Sequence, residues 1–161
     1  MIRDLLRLFG FGGRGSDPYT GDPDAPRGAS TDLALVIRTD FSDQAAWETV
    51  RKTISTPVDG FRAYVQFVDE QEHDGLTGDR LRAVLVSRSP HLYAIVADRM
   101  TMAHPEHPLR VLDLKSADNR AFRALPTQVA SIENNLSIAN LDFGDFADAV
   151  ESDGIFRGFP T

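Results

Sequence analysis

Three predicted β-strands of this sequence end in an aspartate. The runs LVIRT, VQFV and AIVA are followed by Asp40, Asp69 and Asp98, and Arg99 comes directly after the last of them. If the three strands are parallel, these carboxylates project from one edge of the sheet, where ligands of open α/β folds bind. Carboxylates packed together repel unless a hard cation such as Mg²⁺ joins them or one of them keeps its proton. Asp40, Asp69, Asp98 and Arg99 are therefore candidates for a Mg²⁺-dependent or phosphate-ligand site.

The same aspartates also have a structural interpretation. Aspartate is common where a strand meets a loop, because its side chain accepts hydrogen bonds from the backbone amides that follow. The sequence lacks the adjacent acidic pair and the downstream Ser/Thr and Lys of aspartate-based phosphotransfer domains. We therefore favour the structural role and keep the ligand site as the alternative.

A second candidate constellation is His104-Pro-Glu-His107, which offers two imidazoles and a carboxylate within four residues. The prolines preclude the helix that would align positions i and i+3, so we predict a stiff turn and no metal site. No P-loop, serine elbow, GxGxxG or CxxC motif is present. The absence of these motifs favours a protein without catalytic activity and without a cofactor.

Composition limits the class of protein. The chain has 161 residues, 42% of them hydrophobic, which is enough for one well-packed core. A formal charge of −7 argues against a nucleic-acid binder, since phosphate neutralisation needs a basic face. Cysteine is absent, and no apolar run reaches the roughly 18–20 residues of a bilayer span. We expect a cytoplasmic protein without a transmembrane segment.

The beginning of the chain predicts a small element on a tether. Residues 1–11 place four apolar side chains at helical spacing opposite charged ones, which indicates an amphipathic helix. These apolar residues are Ile2, Leu5, Leu6 and Phe9. Residues 12–31 are rich in Gly, Pro and Asp and predict a flexible linker, followed by a single domain over residues 32–161. The helix could dock on a partner protein, on a membrane surface as a peripheral contact, or on its own domain.

The order of elements in that domain predicts an α/β fold. Leu33–Arg38 and Leu92–Ala97 are apolar runs typical of strands covered on both faces, and Phe61–Phe67 alternates like a strand with one wetter face. The order strand, helix, strand, helix, strand implies right-handed crossovers and a parallel core. Leu109–Leu114 and Ala121–Leu125 are joined by too short a connection for a crossover, which predicts an antiparallel hairpin.

The stretch Ser131–Phe159 combines helix-spaced apolar residues with four phenylalanines, and we expect it to cover the sheet. The predicted architecture is a two-layer or three-layer mixed sheet with a parallel βαβαβ core, an antiparallel C-terminal hairpin and a C-terminal helical lid. Three polar residues of this stretch, Glu133, Asn134 and Asn135, are candidates for a partner-binding surface. Alternatively they satisfy loop backbone groups, an interpretation that we favour, and Asn140 is the expected left-handed residue after the helix.

Several strings of the domain resemble a known family. LVIRTDFSDQAAWETV, DGFRAYVQFVD, VADRMTMAHPEHPL and ENNLSIANLDFGDFADAVESDGIFRGF are similar to uncharacterised bacterial proteins that are catalogued only as a domain of unknown function. The resemblance covers about residues 33–159. It implies a small intracellular domain and supplies no reaction, ligand or catalytic residue. The favoured function at this stage is a non-catalytic module that binds another protein.

Overall fold

The computed structural model describes residues 33–88 and 92–161. The amphipathic helix and the linker predicted for residues 1–31 lie outside the described residues. No helix in the described ranges is long and apolar enough to cross a membrane. The strands are β1 (Ala34–Arg38), β2 (Val65–Val68), β3 (Tyr93–Ala97), β4 (Leu109–Asp113), β5 (Ala121–Ala124) and β6 (Ile155–Phe156). The α-helices are α1 (Gln44–Ser55), α2 (Gly78–Arg88), α3 (Arg99–Ala103), α4 (Val129–Ser137) and α5 (Phe143–Asp148).

The strands form one mixed sheet in the order β2-β1-β3-β4-β5-β6. β1 is parallel to both β2 and β3, which confirms the predicted parallel core. β4 and β5 form the predicted antiparallel hairpin, and β4 is also antiparallel to β3. The sequence did not indicate β6, which pairs with β5 in parallel. The fold is therefore a mixed α/β fold with a six-stranded sheet in the described residues.

Side chains of the central strands are buried on both faces of the sheet, because every residue of β1 and β3 is buried. Alternate residues enter two separate apolar clusters. One cluster combines Val36 and Ile95 with residues of α1, α4 and α5, including Trp47, Ile132 and Phe146. The other combines Ile37 and Val96 with Leu81 and Leu85 of α2. The two strands thus have the apolar character that the sequence predicted, and residues of helices join both clusters.

The start of one strand and the end of one helix differ from their predicted positions. The strand predicted over Phe61–Phe67 begins only at Val65. Val58 and Phe61 exchange two backbone hydrogen bonds of 2.9 Å around Asp59-Gly60, whose φ angles of 51° and 83° suit a tight turn. This turn precedes the strand and leaves Phe61 62% exposed.

After α4, the left-handed residue is Ala139 and not Asn140, with φ of 53°. The helix ends at Ser137, so the left-handed position falls one residue earlier than predicted. The backbone N–H of Asn140 then donates to the carbonyl of Asn135 at 3.0 Å, as in a Schellman ending.

An aromatic cluster joins the C-terminal segment to the sheet. Phe146 of α5 stacks on Phe122 of β5 at 6.3 Å between ring centroids, and it meets Phe156 of β6 edge-on at 5.3 Å. Phe159 contacts Phe146 and Phe156 at 5.3 and 5.0 Å. Phe146 is the centre of this cluster and is fully buried. Its removal would leave a cavity among Phe122, Phe156 and Phe159.

We expect Phe146→Ala to lower the free energy of unfolding by about 3–5 kcal/mol, because it removes buried apolar area and leaves a cavity. Urea denaturation followed by far-UV circular dichroism measures this change. Phe61→Ala is the matched control, since its ring is 62% exposed, and we expect its effect to stay within about 0.5 kcal/mol. Equal destabilisation by the two variants would contradict the packing described here.

Candidate functional site

Asp40, Asp69 and Asp98 follow three strands that run in the same direction, so they lie along one edge of the sheet. We call this the carboxyl edge, meaning the residues that follow the C-terminal ends of β1, β2 and β3. Asp69 is exposed, Asp40 and Asp98 are half-buried, and Arg99 is exposed. The predicted ligand residues therefore share an edge, and their individual partners decide what this edge can do.

Asp69 is held by a buried arginine and a buried tryptophan. Nη1 of Arg38 lies 3.2 Å from Oδ1 of Asp69, and Nε1 of Trp47 donates to Oδ2 at 2.9 Å. The Arg38 guanidinium also donates to the side chain of Gln44 and lies over the ring of Phe41, 4.1 Å from its centroid. The side chain of Arg38 is only 3% exposed, so its charge needs a carboxylate nearby. Asp69 supplies that carboxylate and connects β2 to α1.

Asp40 has a local role in the loop after β1. Its Oδ1 accepts hydrogen bonds from the backbone N–H and the hydroxyl of Ser42. The backbone carbonyl of Asp40 accepts from Nε of Arg38 at 3.0 Å. The loop is tied further by Gly75, whose N–H donates to the carbonyl of Thr39 at 2.9 Å. The Asp40 side chain thus closes a turn that leads into α1, as the structural interpretation predicted.

Asp98 begins a helix that the sequence analysis did not predict. It is the N-cap of α3, where its Oδ1 accepts from the backbone N–H of Thr101 at 3.2 Å. Arg123 of β5 binds both carboxylate oxygens of Asp98, at 3.0 and 2.7 Å. Burial raises the pKa of Asp98, but the hydrogen bonds and charge of Arg123, together with Thr101, outweigh burial and lower it overall. Asp98 is therefore ionised and connects β3 to β5.

The His104–His107 loop is also bound within the chain. Nδ1 of His104 accepts from the backbone N–H of Glu106 at 3.1 Å, and Nδ1 of His107 donates to the carbonyl of Thr101 at 2.9 Å. Both carboxylate oxygens of Glu106 accept from Arg157, at 3.1 and 2.7 Å. Arg157 also binds Glu151 and Asp153. Arg157 thereby fastens this loop to the segment that carries β6.

Arginines organise the carboxyl edge, and the sequence analysis did not single them out. Arg38, Arg123 and Arg157 each bind at least one carboxylate that lies far away in the sequence. No sequence motif marks such pairs, because partners such as Asp98 and Arg123 meet only in the folded sheet. Among the residues that the structure describes, no group of three or more His, Asp or Glu side chains is arranged to hold a metal ion. The contacts observed at this edge are ion pairs between distant parts of the chain.

The opposite edge of the sheet, where β1, β2 and β3 begin, carries a buried carboxylate. We call it the amino edge. Glu133 of α4 is 6% exposed, and its Oε2 accepts from the backbone N–H of Tyr64 at 3.1 Å. Burial raises the pKa of Glu133, against hydrogen bonds from Tyr64 and Ser137 that lower it. Within the described residues the hydroxyl of Tyr93 is buried without a hydrogen-bond partner, and burial together with the Glu133 charge raises the pKa of this phenol.

The neighbouring amides are engaged in the same region. Nδ2 of Asn134 donates to the carbonyls of Arg62 and Ala130, both at 2.8 Å, and to Oε2 of Glu133 at 3.0 Å. Nδ2 of Asn135 donates to the carbonyl of Ser131 at 2.8 Å. The structure thus uses Glu133 and Asn134 to join α4 to the entry of β2, whereas the donor bond of Asn135 stays within α4. These contacts fit the structural interpretation of these residues that the sequence analysis favoured.

Exposed apolar side chains flank this junction. Phe61 and Ile138 are 62% and 61% exposed, and Val58 of the Phe61 turn is 37% exposed. The hydrogen bond between Asn134 and the carbonyl of Arg62 places α4 beside the Phe61 turn. Ile138 directly follows the end of α4, four residues after Asn134. We call Val58, Phe61 and Ile138 the Phe61 surface.

We expect Asp98→Asn to lower the free energy of unfolding by about 2–3 kcal/mol at pH 7, because it weakens a helix cap and unpairs Arg123. Urea denaturation measures the loss, and Asp118→Asn, an exposed aspartate of the β4–β5 turn, is the control. The folded-state pKa of Asp98 is lowered from 3.8. Its stabilisation is therefore present above about pH 4 and disappears as the pH falls through the folded-state pKa.

The same variant tests the Mg²⁺ alternative when its melting is recorded with and without MgCl₂. A Mg²⁺-dependent rise in the melting temperature of the wild type that Asp98→Asn abolishes would favour a metal site at the carboxyl edge. Equal stability of Asp98→Asn and Asp118→Asn would contradict the structural role of Asp98.

We expect Glu133→Gln to flatten the pH dependence of stability. Because burial raises the folded-state pKa of Glu133 above 4.5, its contribution is fully present below the unfolded pKa and is lost as the pH rises through the folded pKa. Urea midpoints at about pH 4.5, 6 and 7.5 measure this loss, which the neutral glutamine removes. Glu48→Gln, an exposed glutamate on α1, should leave the profile of the wild type unchanged. A profile of Glu133→Gln that parallels the wild type would refute this assignment.

Comparison with known proteins adds one finding to this geometry. No curated protein matches the sequence significantly. Residues 33–159 match a family described as a domain of unknown function, DUF6924. The matched range includes all six strands and all five α-helices of the described structure, together with both edges of the sheet. Since this range is most of the 161 residues, the chain belongs to the DUF6924 family.

Proposed function

We propose that this protein is a non-catalytic interaction module of the cytoplasm that binds another protein through the Phe61 surface. The observation that supports this proposal most is the 62% exposure of Phe61 beside a junction that is otherwise well bonded. Aromatic side chains, phenylalanine included, are enriched at protein interfaces, where a few well-packed residues supply most of the binding energy. The two hydrogen bonds of the Phe61 turn and the Asn134 contact hold this surface in place.

The position of the chain entry supports a second contact through the N-terminal segment. The backbone N–H of Ala34 donates to the carbonyl of Tyr64, three residues after Phe61, so the chain enters β1 beside the Phe61 surface. A flexible linker over residues 12–31 would separate its ends by about 25 Å. Residues 1–11 would therefore remain close to a partner bound at Phe61. We propose that Ile2, Leu5, Leu6 and Phe9 add a second apolar contact to that partner.

The C-terminal segment gives this module its rigidity in our proposal. Residues of α4, α5 and β6 contribute Ile132, Phe146 and Phe156 to the cluster on one face of the sheet, and α2 covers the other cluster. We propose that this arrangement is a three-layer domain in which the C-terminal helices act as the lid. Such a lid would hold α4, and with it Ile138, in a fixed position relative to Phe61.

The alternative function is a Mg²⁺-dependent or phosphate-binding site at Asp40, Asp69, Asp98 and Arg99. The shared edge of three parallel strands is the observation that favours it. Against it, Asp69 is bound by Arg38 and Asp98 by Arg123, so a cation would have to displace two arginines. We therefore rank the interaction module first.

Affinity purification with the full chain tests the proposal. We expect a partner protein that the wild type retains, and we expect Phe61→Ser and Ile138→Ser to weaken its binding at least about tenfold, because both lose apolar contacts at the centre of the interface. Removal of residues 1–30 should weaken the same interaction by reducing avidity. Binding is then measured with the purified partner by calorimetry.

Met100→Ser is the matched control for this experiment. Met100 is 40% exposed but follows β3 at the carboxyl edge, away from the Phe61 surface. It should leave partner binding at the wild-type level. Retention of the partner by the Phe61→Ser and Ile138→Ser variants, or an equal loss with Met100→Ser, would overturn the assignment of this surface.

A further inference from the structure

A cleft lies between α2 and the β4–β5 hairpin. Its volume is about 430 Å³, within the range of small-molecule sites. Arg82, Ala83 and Val86 of α2 form one wall, and Leu114, Lys115 and Ser116 of the hairpin form the other. The cleft therefore combines two cationic side chains with an apolar lining.

Arg82 is buried in this wall without a carboxylate partner. The residue is 8% exposed, its Nε donates to the carbonyl of Asp113 at 2.8 Å, and its Nη2 donates to the carbonyl of Ser116 at 2.8 Å. No carboxylate of the described residues lies within 4 Å of its guanidinium, and Nη1 makes no hydrogen bond to them. Carbonyl dipoles compensate a buried charge less than an anion does. Arg82 thus retains both charge and donors for a further group.

The acidic residues near the cleft contact groups other than the guanidinium of Arg82. The carboxylate of Asp113 accepts from the backbone N–H groups of Lys115 and Ser116, at 2.8 and 3.0 Å. Asp79, which also lines the cleft, is 92% exposed at its side chain and lies 3.9 Å from Arg110. Lys115 is exposed and forms no ion pair within the described residues. Within the described residues, the carboxylates near the cleft therefore do not contact Arg82 or Lys115. The charges of these two side chains remain uncompensated.

We propose that this cleft binds a small organic anion. Its phosphate or carboxylate head group would accept hydrogen bonds from Nη1 of Arg82 and from Lys115, since a guanidinium and an ammonium bind such oxygens strongly. Its apolar body would lie against Ala83, Val86 and Leu114 and cover Val86, which is 51% exposed. This site is independent of the Phe61 surface and of the carboxyl edge.

Calorimetric titration of the full chain with phenyl phosphate and with phenylacetate tests the proposal and distinguishes the two head groups. We expect saturable binding of at least one of them at about 10 mM, where a ligand with a Kd near 1 mM is mostly bound. Benzyl alcohol, which lacks the charge, should bind at least about tenfold more weakly. Failure of both anions to bind at this concentration would overturn the proposal.

Three substitutions locate the site. Lys115→Gln and Arg82→Lys should each weaken binding about five- to tenfold, because each loses charge-assisted hydrogen bonds to the head group. Lys52→Gln, at an exposed lysine on α1, should leave the affinity unchanged. Arg82→Lys also loses contacts to the hairpin, so its urea midpoint is measured in parallel. If Arg82→Lys unfolds, the binding measured with Lys115→Gln alone decides the test. Binding that is insensitive to Lys115→Gln, or that Lys52→Gln weakens equally, refutes the assignment.

Discussion

The burial of β1 and β3 on both faces is the constraint on which the rest of the structure depends. Every side chain of these two strands is buried, so both faces carry apolar side chains and polar groups can reach solvent only at the strand ends. This places charged residues at the two edges of the sheet. Arg38, the last residue of β1, is the clearest case, because it is charged and 2% exposed. It therefore requires Asp69 and the ring of Phe41 beside it.

The ion pairs of the carboxyl edge follow from this constraint. Each pair joins elements that are distant in sequence, such as β3 and β5 through Asp98 and Arg123. Both side chains of that pair are mostly buried, so unpairing either one would leave a charge at the edge without its counterion. An edge that binds ligands in other α/β folds is used here to hold loops in place. The aspartates that invite a catalytic interpretation are thus explained by stability.

Four arginines of the described residues differ in the partners of their guanidinium groups. Arg38, Arg123 and Arg157 meet carboxylates, whereas Arg82 meets only backbone carbonyls within the described residues. The first three have their charges compensated inside the fold. Arg82 keeps an uncompensated charge beside a cleft of about 430 Å³. The same physical argument, that a buried charge requires a counterion, therefore directs attention to Arg82.

Local pattern in the sequence determined the class of fold, the parallel core and the β4–β5 hairpin, because apolar runs and connection lengths act over few residues. It also indicated that aspartates would end the strands. Only the tertiary structure decided their partners and the exposure of Phe61. Asp98 and Arg123 form an ion pair across 25 positions of the sequence, and no periodic pattern of residues predicts such a pair. Two backbone hydrogen bonds hold Phe61 in a turn and not in the predicted strand. The alternation of apolar residues alone does not reveal this turn.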